Sequence, residues 1–160
     1  FGERVAVHCG TVEELDAAAA GAFTAADHVL ANPPFNPPDG RPPPDPRTAT
    51  ARVARPGLFE DWARAAARLL KPGGTFTLIC RPDSLAEVLA ALRRRFGAVA
   101  LRFVYADPHM PAVRLLVGAV KGSKAPLRVV PPLTLNGPDG RLTDIAEAIH
   151  RHAAPLPLMA

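Results

Sequence analysis

Asn32, Pro33, Pro34 and Phe35 directly follow the apolar run of residues 26–31, and their side chains suit the task of holding a planar amino group still. The exocyclic nitrogen of a base such as adenine is a weak nucleophile, because its lone pair is delocalised into the ring. Catalysis must therefore favour the geometry in which that pair points at an electrophile. The Asn32 carboxamide oxygen and the Pro33 carbonyl can each accept one N–H and fix the nitrogen in that geometry. Pro33 and Pro34 lock their own φ angles and push the residues before them toward extended conformations, so the turn is stiff before any acceptor arrives. Stiffness means that little entropy is lost at the moment of reaction. Phe35 offers a flat face on which a flipped-out or single-stranded base can stack, worth roughly 1–3 kcal/mol. No strong base is required, because the proton can leave after the electrophile has bonded to the nitrogen. Asn-Pro also favours turns in any protein, and this chain has 19 prolines, so the surrounding elements decide what the four residues mean.

Those elements alternate. Residues 4–9 predict a short buried strand, and residues 12–20 an Ala-rich helix starting near Thr11. Residues 27–31 predict the strand that delivers Asn32. Residues 36–56 form a segment dense in proline and arginine that cannot be regular structure over most of its length. Leu58, Trp62, Ala65, Ala66 and Leu69 recur at helical spacing, and Lys71-Pro72-Gly73-Gly74 stops that helix. Residues 75–80 predict a central strand. Ser84 and Glu87 form a capping-box pattern before a helix with core face Leu85, Val88, Leu89, Leu92 and Phe96 and with Gly97 as its stop. Residues 99–106 and 112–121 predict two strands around a turn at 107–111. Residues 127–135 predict a last strand, and 143–152 a short helix. Strands alternating with helices give an α/β fold with a mainly parallel sheet, and the closing strand pair gives an antiparallel strand at its edge. In such sheets ligands bind beyond the carboxyl ends of the strands, where Asn32 stands.

Length and composition set the outer bounds. A chain of 160 residues with 48% hydrophobic content forms a single domain with a real core. Cys9 and Cys80 both lie in apolar runs, and no Cys/His spacing resembles a zinc site, so two buried free thiols in a reducing cytoplasm and no metal are expected. Neither a membrane-spanning stretch nor a signal peptide is visible, which predicts a soluble protein. The net charge of +4, from 16 Arg, 3 Lys and 15 acids, fits a polyanionic partner only weakly, because the abundance of Ala, Arg and Pro reads as codon bias.

The order of parts resembles the second half of a Rossmann-like S-adenosylmethionine-dependent methyltransferase, a class I three-layer sandwich. Val120-Lys-Gly-Ser-Lys124, Leu127-Arg-Val-Val-Pro-Pro-Leu133, Gly137-Pro-Asp-Gly140 and Thr143-Asp-Ile-Ala-Glu-Ala-Ile149 are similar to the tail of bacterial tRNA(Val) adenine N6-methyltransferases, which modify the adenine beside the anticodon. That resemblance implies S-adenosylmethionine as cofactor, tRNA as partner, and Asn32 and Pro33 as the grip on the adenine amino group. Asn32 would also lie beside the cofactor. Phe35 would stack on the ring, Pro34 and Arg52 are further candidate substrate contacts, and Arg114, which matches an Arg of similar enzymes, would face the substrate or form a salt bridge. Relatives carry a glycine-rich loop after the first strand and an acid after the second, and neither is in this chain, which starts at Phe1. The expectation is one methyltransferase domain over residues 1–160, truncated at its N-terminus, lacking its first strands and inactive alone. Where relatives place an acid near the cofactor adenine this chain has Gly10-Thr11; Thr11 is a candidate contact, with a helix N-cap the favoured role.

Other residues admit both a functional and a structural role. Arg41, Arg47, Arg52 and Arg55 could meet RNA phosphates or simply face solvent. Arg93, Arg94 and Arg95 end a helix, where cations complement its dipole on a solvated face. Asp27 is read as structural, His109 as a surface residue and Trp62 as core. Two alternatives stand beside the tRNA reading. One is a protein-glutamine N5- or DNA-adenine N6-methyltransferase, whose acceptor amide or amine fits the same grip. The other is a non-catalytic RNA-binding module that keeps half of an enzyme fold.

Overall fold

The computed structural model describes residues 5–18, 25–34 and 56–158. Its elements are α1 (Val12–Ala18), β1 (Ala26–Ala31), α2 (Leu58–Leu69), β2 (Leu70–Cys80), a 3₁₀ turn (Pro82–Ser84) and α3 (Leu85–Leu92). Then come β3 (Phe96–Tyr105), β4 (Ala112–Lys121), the two-residue strands β5 (Arg128–Val129) and β6 (Leu133–Thr134), and α4 (Asp144–His150).

Strand β2 organises the sheet. Phe76, Leu78 and Cys80 alternate along it and are 1%, 3% and 1% exposed, whereas Thr75, Thr77 and Ile79 on its other face are only half-buried. β2 pairs in parallel with β1, ending at Ala31 opposite Leu78, and antiparallel with β4, ending at Cys80 opposite Leu115. β4 pairs antiparallel with β3, giving the order β1-β2-β4-β3-β5, with β6 also on β3. The antiparallel strand of the closing pair thus lies inside the sheet, because β4 buries Leu115, Val117 and Ala119 between two neighbours.

One face of the sheet carries the core. Phe59, Ala63 and Ala66 of α2 and Val88, Ala91 and Leu92 of α3 pack on Phe76, Leu78, Cys80, Leu115 and Val117. The small alanines let α2 approach the strands closely, and Phe76 meets Phe96 with ring centroids 5.5 Å apart and planes tilted by 36°. On the opposite face the C-terminal segment covers β3. Arg102, level with Leu116, donates from Nη1 to the Pro131 carbonyl (2.8 Å) and from Nη2 to the Pro157 carbonyl (2.6 Å). Leu133 and Leu158 are buried. That same face is open at β1, where Leu30 is 79% exposed.

Several sequence expectations are corrected. Residues 5–10 form no strand: they are exposed, with Val7 at 89%, because no strand among the described residues pairs with them. Cys9 is consequently exposed, and only Cys80 is a buried thiol. The Ser84 capping box does not form; Pro82 starts a helical turn two residues earlier, so Ser84 is already helical (φ −81°, ψ −1°) and its side chain caps nothing. Phe96 and Gly97 belong to β3, not to a helix. Gly97 is required by close approach, since a Cβ there would lie 2.2 Å from the Ser123 carbonyl oxygen. β2 begins at Leu70 rather than Thr75, because Leu70 pairs with Ala26 before a register shift. Pro131 and Pro132 break the last strand in two. The helix near 143–152 forms with Thr143 as its N-cap, accepting from the Ala146 N–H. Phe35, Arg41, Arg47, Arg52 and Arg55, with the rest of the proline-rich segment up to residue 55, lie outside the described residues. No helix among the described residues is long and apolar enough to cross a membrane.

Two outcomes follow from this core. Phe76→Ala removes a fully buried ring and lowers unfolding stability by about 3–5 kcal/mol, read from urea denaturation; a loss under 1 kcal/mol would contradict the placement of β2. Burial, aided by the Asp83 charge, pushes the Cys80 thiol up to about 12. The folded chain therefore holds that proton more tightly than the unfolded one. The associated stability is complete below the ordinary thiol value of 9.0 and is lost as pH rises toward 12. A thiol reagent at neutral pH labels Cys9 rapidly in the native protein and Cys80 only after denaturation; two fast thiols would overturn the assignment.

Candidate active site

The ladder between β1 and β2 ends at Ala31 and Leu78. Pro33 cannot donate an N–H to prolong it. Its ring is instead among the fully buried side chains of the protein, and Pro34 is half-buried. Asn32 remains exposed between a strand and a buried proline. Its carboxamide has no hydrogen-bond partner among the described residues, so both its acceptor and its donor are available. It stands at the rim of a groove of about 380 Å3 lined by Leu30, Ala31, Thr77, Ile79 and Leu116. The walls are apolar apart from Asn32 and the Thr77 hydroxyl, which strengthens any hydrogen bond made to the carboxamide by an acceptor lying there.

Arg114 lies two residues before Leu116 on β4 and therefore on the same face of the sheet as the groove. It is half-buried, and its Nη1 donates to the Val113 carbonyl at 2.7 Å. The sequence reading passed over Arg81. This residue follows β2 as Asn32 follows β1 and holds Asp83 through its Nε at 3.0 Å; its place after a strand was the available signal. Thr11 is a helix N-cap in a capping box: its N–H donates to Glu14 Oε2 at 2.7 Å and its hydroxyl accepts from the Glu14 N–H at 3.2 Å. Asp27 stands at the far end of β1, where Lys71 bonds it at 2.8 Å and, first by that hydrogen bond and then by its charge, lowers the carboxyl below its usual range. Trp62 packs against the core. His109 is exposed in the turn, with its N–H donating to Asp107 Oδ1. Among the described residues no group of three His, Cys, Asp or Glu side chains is placed to hold a metal ion.

This architecture has counterparts of known structure. The chain is 33% identical, with a TM-score of 0.66, to a protein from Agrobacterium tumefaciens described as a predicted O-methyltransferase; the match covers 81% of this chain and 53% of that one. It also matches a type I restriction-modification system (15% identity, 89% of this chain and 34% of the other, TM-score 0.48) and M1.HpyAVI in complex with SAM (15%, 72% and 53%, 0.45). The last two are too distant to carry an argument. No protein-family model matches the sequence, and no curated protein matches it. The fold is the Rossmann-like class I methyltransferase architecture with a mixed sheet. The chain spans about half the length of the Agrobacterium structure.

The groove beside Asn32 does not by itself form a pocket for S-adenosylmethionine. A sulfonium, an amino-acid group and a ribose diol need carboxylates and close backbone approach, yet no glycine and no acid lines the groove. At this end of the sheet Asp83 is held by Arg81, and Asp107 by the His109 backbone. Calorimetric titration of S-adenosylmethionine into the 160-residue chain is expected to show no saturable binding up to millimolar ligand. Micromolar binding would show that the chain holds a complete donor pocket.

Proposed function

We propose that this chain is the acceptor-holding part of an S-adenosylmethionine-dependent methyltransferase acting on the exocyclic amino group of a nucleic-acid base. One observation carries the reading: the Asn32 carboxamide, without a hydrogen-bond partner among the described residues, seated beside a fully buried proline at the carboxyl end of β1 and opening on an apolar groove. A nitrogen acceptor suits this site better than an oxygen, because methylation of a hydroxyl calls for a base and the groove presents none among the described residues. In this reading Asn32 Oδ1 and the Pro33 carbonyl orient the N–H groups, Pro34 and Phe35 pack on the ring, and Arg114 and Arg52 attend the substrate.

The donor-binding half would pair along the edge of β1 that no strand among the described residues occupies. Adenine in DNA or RNA, or the side-chain amide of glutamine in a protein, fits the same grip. Adenine beside a tRNA anticodon is the finer reading, and the tail of residues 120–149 supports it by resemblance.

Methyl transfer measured with a longer chain that includes the preceding segment tests this. Isotopically labelled S-adenosylmethionine is offered with RNA, DNA or a glutamine peptide, and the methylated product is identified by mass spectrometry. Asn32→Ala is expected to lower turnover by about 10²–10³-fold, the cost of removing one oriented hydrogen-bonding group from a transition state. Unchanged turnover would remove the carboxamide from the mechanism.

A further inference from the structure

The other end of the sheet carries a second feature. Because β3 runs parallel to β1, it begins at the end opposite Asn32. Arg93, Arg94 and Arg95 enter β3 there. The segment after β4 is stitched to them: the Gly122 N–H donates to the Arg95 carbonyl at 2.8 Å, and the Ala98 N–H to the Ala125 carbonyl at 2.9 Å. This brings Lys124 to the same end as the three arginines, which together with Glu60 and Ala90 bound a cavity of about 340 Å3.

The fold uses some of these cations. Arg95 binds Glu60 at 2.7 Å and the Ala91 carbonyl at 3.4 Å, Lys121 donates to the Leu70 carbonyl at 2.5 Å, and Lys71 is held by Asp27. Arg93, Arg94 and Lys124 are exposed and have neither a carboxylate nor a carbonyl partner among the described residues. Complementing the dipole of α3 requires only the cation that reaches its last turn, which is Arg95.

We infer that Arg93, Arg94 and Lys124 form a docking surface for the phosphate backbone of a nucleic acid whose target base lies at Asn32. This inference rests on the nucleic-acid reading proposed above and adds where the rest of the polymer runs. Ala31 is level with Leu78 and Val120 with Thr75, and three strand spacings separate β1 from β3. Within the plane of the sheet Asn32 and the basic end are therefore roughly 20 Å apart, a span of about six base-pair steps, and the path is longer still because the arginines lie on the helix side of the sheet and the groove on its other face. A substrate of one or two nucleotides cannot bridge it, whereas a stem-loop can.

Fluorescence anisotropy with a 20-nucleotide RNA hairpin, between 50 and 200 mM salt, tests this. The triple variant Arg93→Gln, Arg94→Gln, Lys124→Gln is expected to reduce the slope of log K against log salt by about 2–3. A control pair elsewhere on the surface, Arg141→Gln and Arg151→Gln, should keep the slope, and Arg93→Lys with Arg94→Lys should retain it because the charge is preserved. Hairpin binding by the wild type with an unchanged slope in the triple variant would overturn the docking surface and leave the proposed function standing. If the wild type binds neither RNA nor DNA hairpins, both fall. Preferential binding to phosphatidylserine vesicles over RNA would assign the cations to a membrane and overturn the inference.

Discussion

The structure depends on β2 having a different neighbour on each side. A parallel strand has no local partner, so β1 is held only because β2, separated from it by the whole proline-rich segment and α2, returns alongside it. β2 can do so because its other edge is secured by β4, and because Phe76, Leu78 and Cys80 bury one face against α2 and α3. Register matters here more than pairing alone. A one-residue slip of β2 would turn Thr75, Thr77 and Ile79 into the core and Phe76 out to solvent.

The candidate site inherits its geometry from that arrangement. Asn32 stands where the β1–β2 ladder stops, and the burial of Pro33 prevents the chain from swinging away. Position therefore comes from the sheet and stiffness from the prolines. The groove beside Asn32 exists because no element among the described residues covers the second face of β1 and β2, while the C-terminal segment, latched by Arg102, covers β3. Among the described residues, the groove at one end of the sheet is apolar apart from the Asn32 amide and the Thr77 hydroxyl, and the opposite end offers Arg93, Arg94 and Lys124 with neither carboxylate nor carbonyl partners. This division suits a polyanion whose uncharged base is handled apart from its backbone.

Much of this could be read from the residues. β1, α2, β4 and the Thr143-capped helix stand close to where periodicity and capping residues place them, because their signals are local. The placement of Asn32 and Pro33 directly after β1 was legible for the same reason: a rigid dipeptide after a strand is a local statement. Gly97 was misread because a glycine after an apolar run looks like a helix stop, whereas its real constraint is the Ser123 backbone pressed against it from 26 residues downstream. Ser84 was misread because Pro82 supplies the helix start first.

Cys9 and Cys80 make the division plain. Each sits in an apolar run, and each run reads as a strand. The run around Cys80 has β1 and β4 to pair with and is buried; the run around Cys9 has no pairing strand among the described residues and is exposed. The sequence by itself determined which segments can be helices or strands and where the chain turns stiffly after β1, because propensity, capping and proline stiffness act within a few residues. Only the tertiary structure decided which strands are buried, which face stays open, and that Arg93, Arg94 and Lys124 share one end. Those outcomes depend on hydrogen-bond partners and packing neighbours contributed by residues far away along the chain.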